Sequence, residues 1–291
     1  GSLVAMGGDR LLPAQKAGLA ALTAAMLTAG AAGRDAAGYA AAVEALGASI
    51  EARAGREALT VSLQGLAPRL DATLDLLADA VLRPNLAAAD FDRERKLLLA
   101  RIEARAEEPR AVSRLAAAAL LHGPDDWRGR PLEGWSPTVG ALTLDDVRAA
   151  APLLLEPERA RLVFVGDVTR AQLEAALAQR FGKWKGKGGR AAAAAAADAM
   201  APPSAGSVAP GNIALVDRPG APQTVIRVTR ALDAPDAAGR ADRLCVTTLL
   251  GGTFTSRLNQ NLREKHGYTY GAGCAIEQEG SLHTLGASSS V

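Results

Sequence analysis

Aromatic side chains make up only 3% of this 291-residue chain, with three Trp, three Tyr and four Phe. The core therefore has to be built from Ala, Leu and Val, and the length is enough to bury a sizeable one. Cysteine is as scarce. Cys245 and Cys274 are the only two, which excludes a disulfide framework and reads as two small buried hydrophobes. Histidine occurs three times, at 122, 266 and 283, with no two at ligand spacing on one helix, so no ordinary zinc-binding pattern is present. Neither charge sign dominates: 33 basic against 31 acidic residues leave +2, interspersed, which argues against a nucleic-acid or anionic-membrane partner. No apolar run approaches the roughly 18 residues that span a bilayer. Gly251-Gly252-Thr253 lacks the Lys and length of a phosphate loop, and Gly271-Ala272-Gly273 is too short for a dinucleotide fingerprint. No cofactor is expected.

What is present is an α+β pattern that runs through once and then restarts. A strand at Leu3 to Met6 leads to a helix expected from Pro13 to Gly30, since Pro suits a first helical turn. A helix over Asp35 to Leu46 stops at Gly47, and Ser49 to Arg56 and Leu59 to Leu66 alternate as an antiparallel pair. Helices follow over Pro68 to Leu82, Ala87 to Ala106 and Arg110 to Leu121, then a polar Gly/Pro-rich connector from Leu121 to Thr138. Thr143-Leu144-Asp145-Asp146 has capping-box spacing for a helix to Ala151. Arg161 to Gly166 reads as a buried strand and Arg170 to Phe181 as an amphipathic helix. Residues 186–211 break the composition with Gly/Lys, seven consecutive Ala (191–197) and Pro202-Pro203-Ser204. That favours an interdomain linker over a short helix. Strands at Ile213 to Asp217 and Gln223 to Thr229, helices at Asp236 to Leu250 and Thr255 to Lys265, and two final strands complete the chain. The expected domains are 1–185 and 212–291, the second reading as truncated beside the first.

Two blocks of residues carry a resemblance. The first runs from Gly7-Gly8-Asp9 through Gly18-Leu19-Ala20, Met26-Leu27, Leu46-Gly47-Ala48-Ser49-Ile50, Leu82-Arg83-Pro84-Asn85 and Phe91 to Lys96. The second is Leu250-Gly251-Gly252-Thr253-Phe254-Thr255-Ser256-Arg257-Leu258 followed by Asn261-Leu262-Arg263-Glu264-Lys265-His266-Gly267-Tyr268-Thr269-Tyr270. Together they resemble the pitrilysin-like (M16) metallopeptidases over nearly the whole chain. Members of that family carry Gly-Leu-Ala-His-x-x-Glu-His-Met-Leu where this chain has Gly18 to Leu27. The two zinc-ligand positions fall on Ala21 and Ala25, and the water-activating Glu falls on Ala24. A methyl group neither ligates a metal nor moves a proton. The third ligand comes from a Leu-Glu-Glu-Ile-like helix end, which is Leu99-Ala100-Arg101-Ile102 here. A shift in helix register would bring in Glu103 as a residual ligand.

The resemblance implies two homologous domains of the LuxS/metallohydrolase-like fold, each an antiparallel-rich sheet flanked by helices. It further implies that Arg263 and Tyr270, spaced as the family's Arg-x6-Tyr pair, contact substrate across a cleft from the erased zinc site. A guanidinium and a phenol can both donate to a peptide carbonyl. The favoured expectation is a non-catalytic subunit that binds peptide and pairs with a His-x-x-Glu-His homologue, or with a second copy of itself. The alternatives are a stand-alone peptide-binding or scaffold protein, a structural subunit with a vestigial Arg/Tyr pair, and, disfavoured by three missing ligands, an active zinc peptidase. Gly1-Ser2 has the form of a tag-removal remnant, so compartment is weakly marked, with a bacterial periplasm slightly favoured over cytoplasm.

Overall fold

The computed structural model of the chain describes residues 1–186 and 213–291. The expected linker at 186–211, including Ala191 to Ala197, lies outside these residues apart from Gly186. The chain divides into two compact units, one formed by Gly1–Glu103 with the segment from Pro131, the other by Ala104–Arg130 with the C-terminal segment.

In the first unit, β1 (Ser2–Met6), β2 (Ser49–Ala54), β3 (Ala58–Gln64) and β4 (Ala160–Val163) form one sheet. Its order is β2-β3-β1-β4, antiparallel throughout. Alternation on β1 and β3 places Leu3 opposite Val61 and Ala5 opposite Leu59, and all four are wholly buried. Helices α1 (Leu19–Leu27), α3 (Leu70–Leu82), α4 (Ala88–Ala106) and α7 (Leu144–Leu154) close the core with Leu22, Leu74, Leu77, Leu98 and Leu154. Burial of each such Leu stabilises by about 2 kcal/mol. Only Tyr39 and Phe91 among the aromatic residues are fully buried, so the core is aliphatic, as the composition requires.

Helix ends follow local chemistry. Asp35 accepts from the Gly38 amide at 2.7 Å to start α2 (Ala36–Ala45). The Thr143 capping box forms with Asp146 as the reciprocal acid. Asp146 is also bonded to Lys16 at 2.8 Å. Burial raises its pKa, but the Lys16 and Thr143 hydrogen bonds outweigh this and hold it below the usual carboxylate range. The Arg10–Glu57 pair, 2.8 Å apart with side chains 4% and 11% exposed, ties the turn after β1 to the β2–β3 hairpin.

Three expectations are corrected here. The first helix starts at Leu19 rather than Pro13, because Gly18 adopts φ 95° and turns the chain after a 3-10 turn at Ala14–Lys16. The strand expected over Arg161 to Gly166 stops at Val163, which pairs with Ser2 of β1. It is an edge strand rather than a buried one, with Val165 92% exposed.

The second unit holds a three-stranded antiparallel sheet, β5 (Val225–Leu232), β6 (Ala272–Glu279) and β7 (Leu282–Ser290), in the order β5-β7-β6. A two-residue turn at Gly280-Ser281, with Gly280 at φ 61°, joins β6 to β7. The helix α5 (Pro109–His122) packs on β5, where the Arg227 guanidinium lies 3.4 Å from Ser113 Oγ. That packing groups residues 104–130 with the C-terminal sheet, whereas the sequence places them in the domain ending at 185. The strand expected at Ile213 to Asp217 does not form. These residues have no regular structure, and Ile213 is 93% exposed. The helix opened by Asp236 runs over Ala237–Thr247 and loosens into a π-helical turn at Thr248–Gly252. The next expected helix is a short α-turn, Arg257–Asn259, passing into π-helical Gln260–Lys265.

Candidate functional site

Helix α1 presents the positions that the family uses for zinc. Ala21 and Ala25 stand one helical turn apart on one half-buried face, beside β2 and α7. Ala24 is 2% exposed within the core. The entry to α1 is fixed by the connector: Thr138 Oγ1 donates to the Ala17 carbonyl at 2.9 Å, and Gly134 approaches the Ala17 and Gly18 backbone closely. On α4, Ile102 is buried in the core, while Arg101 and Glu103 are exposed. Glu103 therefore sits on the solvent face of the helix rather than in the core.

The donor set does not fit zinc. His122 ends α5, His266 follows the π-helical turn and His283 lies on β7, so none is on α1. Among the described residues no three His, Cys, Asp or Glu side chains are grouped to hold a metal ion. The combined substitution Ala21→His, Ala24→Glu, Ala25→His is expected to bind no stoichiometric zinc by atomic absorption and to gain no peptidase activity. It lacks a third ligand and buries a carboxylate at position 24. Activity in that variant would show the third ligand to be misassigned.

Thr23 lies in the same helix, wholly buried, with no hydrogen-bond partner for its hydroxyl among the described residues. Nothing in the sequence marks it. Thr23→Val keeps the shape and removes the orphaned hydroxyl, so it should raise stability by about 1 kcal/mol in urea unfolding. A loss of stability would mean that the hydroxyl is satisfied.

In the second unit, the segment that carries Arg263 and Tyr270 is built on one buried amide. Asn259, 7% exposed, donates to the Thr253 carbonyl, Ser256 Oγ and the Ala272 carbonyl, and accepts from the Ala272 amide at 2.8 Å. The Tyr268 amide donates to the Leu262 carbonyl at 2.8 Å. The stretch from 268 to 272 is thus pinned alongside the Asn259–Arg263 turn at both ends, with Tyr270 midway. Tyr270 stands in the bend just before β6. Its ring is 92% exposed.

Arg263 is four residues after Asn259. Its guanidinium lies 3.9 Å from the centre of the Phe254 ring, and its nearest carboxylate oxygen is that of Glu264 at 3.6 Å, beyond hydrogen-bonding range. Its in-plane donors are unspent among the described residues. The pair therefore offers a guanidinium edge and a free phenol on one pinned scaffold, a donor set suited to carbonyl or carboxylate oxygens. The roles of Asn259 and Phe254 were not visible in the sequence. The one available signal was the rarity of Phe, of which the chain has four.

Known proteins match this chain over most of its length. The profile described as "Peptidase M16 inactive domain" covers residues 141–291, and "Insulinase (Peptidase family M16)" covers residues 2–124. An uncharacterised zinc protease of Mycobacterium leprae is 28% identical over 239 residues, 81% of this chain and 51% of its own. A crystal structure of a peptidase M16 inactive domain from Pseudomonas fluorescens superposes with TM-score 0.78 at 23% identity, covering all of this chain and 68% of that one. Pitrilysin superposes with TM-score 0.70 at 20% identity, covering 99% of this chain and 31% of its own. At such identities the two structures speak for the fold alone. The chain spans about half the length of the curated relatives it matches. On the profile that matches more than half of its residues, with a fold to agree, this chain belongs to the M16 peptidase family.

Proposed function

We propose that this chain is a non-catalytic M16-type subunit that binds peptide and pairs with a homologue carrying the His-x-x-Glu-His motif. The observation that carries the reading is an asymmetry. The two His positions and the Glu position of the zinc helix are all Ala, while Arg263 and Tyr270 are kept, half-exposed and exposed, with no hydrogen bond from the Arg263 guanidinium among the described residues. Erasing one half of a peptidase site while keeping the other suits a chain that contributes contacts and leaves hydrolysis to its partner.

The sheet of the first unit supports peptide capture. β2 is an edge strand, and it lies against the helix with Ala21 and Ala25. An extended peptide adding to that edge would bind through main-chain hydrogen bonds with little sequence preference. The test is co-sedimentation of the chain with an M16 homologue from the same organism that carries the His-x-x-Glu-His motif. A defined hetero-oligomer supports the reading, and two independent species at micromolar concentration would point to a stand-alone peptide-binding protein.

A further inference from the structure

We infer that Phe254 is a positioning residue, whose ring holds the Arg263 guanidinium in the orientation that receives peptide. The inference rests on the substrate-contact role proposed for Arg263. Phe254 is 66% exposed, so its ring contributes little to any core, and an exposed Phe has to be explained in a chain this poor in aromatics. Its recorded ring contact is with Arg263, at 3.9 Å from the ring centre to the guanidinium carbon. Stacking occupies a face of the planar cation and leaves its edge donors free. Glu264 pairs with the guanidinium loosely, at 3.6 Å from Nε, too long to take a hydrogen bond from it. The ring thus restrains a long, rotamer-rich side chain without spending any hydrogen bond.

The ring itself stands on fixed backbone. Phe254 follows the π-helical turn Thr248–Gly252, where a Cβ on Gly251 would come within 2.4 Å of the Cys274 amide nitrogen. The turn is thus pressed directly against β6. On the other side, Asn259 takes the Thr253 carbonyl at 3.0 Å and the buried Ser256 hydroxyl at 3.1 Å. Phe254 is held between these two anchors, and the Asn259 amide also fixes the turn that leads to Arg263. Stack and guanidinium are therefore parts of one preorganised donor.

Two readouts on the full chain test this. The first is the Arg263 Nε–H resonance by NMR, shifted by the ring current of Phe254. The second is binding of a fluorescein-labelled unstructured decapeptide followed by anisotropy. Phe254→Leu should move the resonance toward its unstacked position and weaken peptide binding about three- to fivefold. Phe254→Tyr should restore both, and Arg263→Ala should weaken binding at least tenfold. Since Phe254 is exposed, all variants should keep the wild-type melting temperature. If Arg263→Ala weakens binding while Phe254→Leu binds like wild type, the positioning role is wrong and the Arg263 site stands. If the resonance is unchanged in Phe254→Leu, the stack is absent in solution. If Arg263→Ala binds like wild type, the substrate-contact reading fails and this inference fails with it.

Discussion

Arg263→Ala is expected to lower peptide turnover by the assembled complex about a hundredfold, the usual consequence of removing one preorganised donor from an acyl-transfer site. The expectation follows from geometry. The guanidinium is held over Phe254 with its edge donors unspent, and a donor fixed in advance needs no reorganisation as charge develops on the carbonyl oxygen. Tyr270→Phe removes one phenolic donor from an otherwise unchanged, 92% exposed ring, so a smaller loss of about tenfold is expected. Arg263→Lys should recover only part of the activity, since an ammonium lacks the planar fork. On the substrate-contact role, association with the catalytic subunit should be unaffected by either change. The check is kcat/KM for the complex, with the catalytic chain held constant and co-sedimentation run in parallel. Wild-type turnover in both variants would make the pair vestigial.

Gly134→Ala should cost stability by about 3 kcal/mol or more, through two effects that add. Gly134 adopts φ 77°, a conformation that costs an L side chain on the order of 1 kcal/mol or more. The added Cβ would also meet the Ala17 carbonyl oxygen at 2.3 Å and the Gly18 nitrogen at 2.9 Å. These are backbone atoms at the entry to α1, so nothing nearby can swing aside. Gly140→Ala is the control. It lies in α6 (Ser136–Gly140) with nothing within 4 Å of its Cβ position, and Ala is the better helix former there. Urea unfolding should therefore separate the two variants in opposite directions. Equal stabilities would mean that the connector does not pack on α1 as described.

The fold was readable wherever a pattern was local. Alternation over 49–54 and 59–64 is enough to pair β2 with β3, and Asp35 and Thr143 each mark the start of the helix they cap. Errors arose where a partner decides. Leu162, Val163 and Phe164 are apolar enough to continue a strand, but β1 ends opposite Val163. Residues 213–217 alternate but pair with no strand among the described residues. Pro13 suits a helix start, yet Gly18 sets the real one because the connector needs the space beside it. The packing of α5 on β5, a strand a hundred residues later in the chain, has no local signal either.

The candidate site divides along the same line. Erasure of the zinc positions is legible because it concerns residue identity within a short motif, and Arg263 and Tyr270 are legible through their spacing. The Phe254 stack, the Asn259 amide and the orphaned Thr23 hydroxyl depend on which side chains meet in space, and no spacing rule contains them.

Peptide hydrolysis by a His-x-x-Glu-His homologue from the same organism, measured with and without this chain, tests the central claim most directly. A subunit that supplies contacts and no zinc chemistry should be inert alone and should raise its partner's turnover on mixing, saturating at a fixed stoichiometry. Unchanged turnover, with both chains folded, or hydrolysis by this chain alone would contradict it.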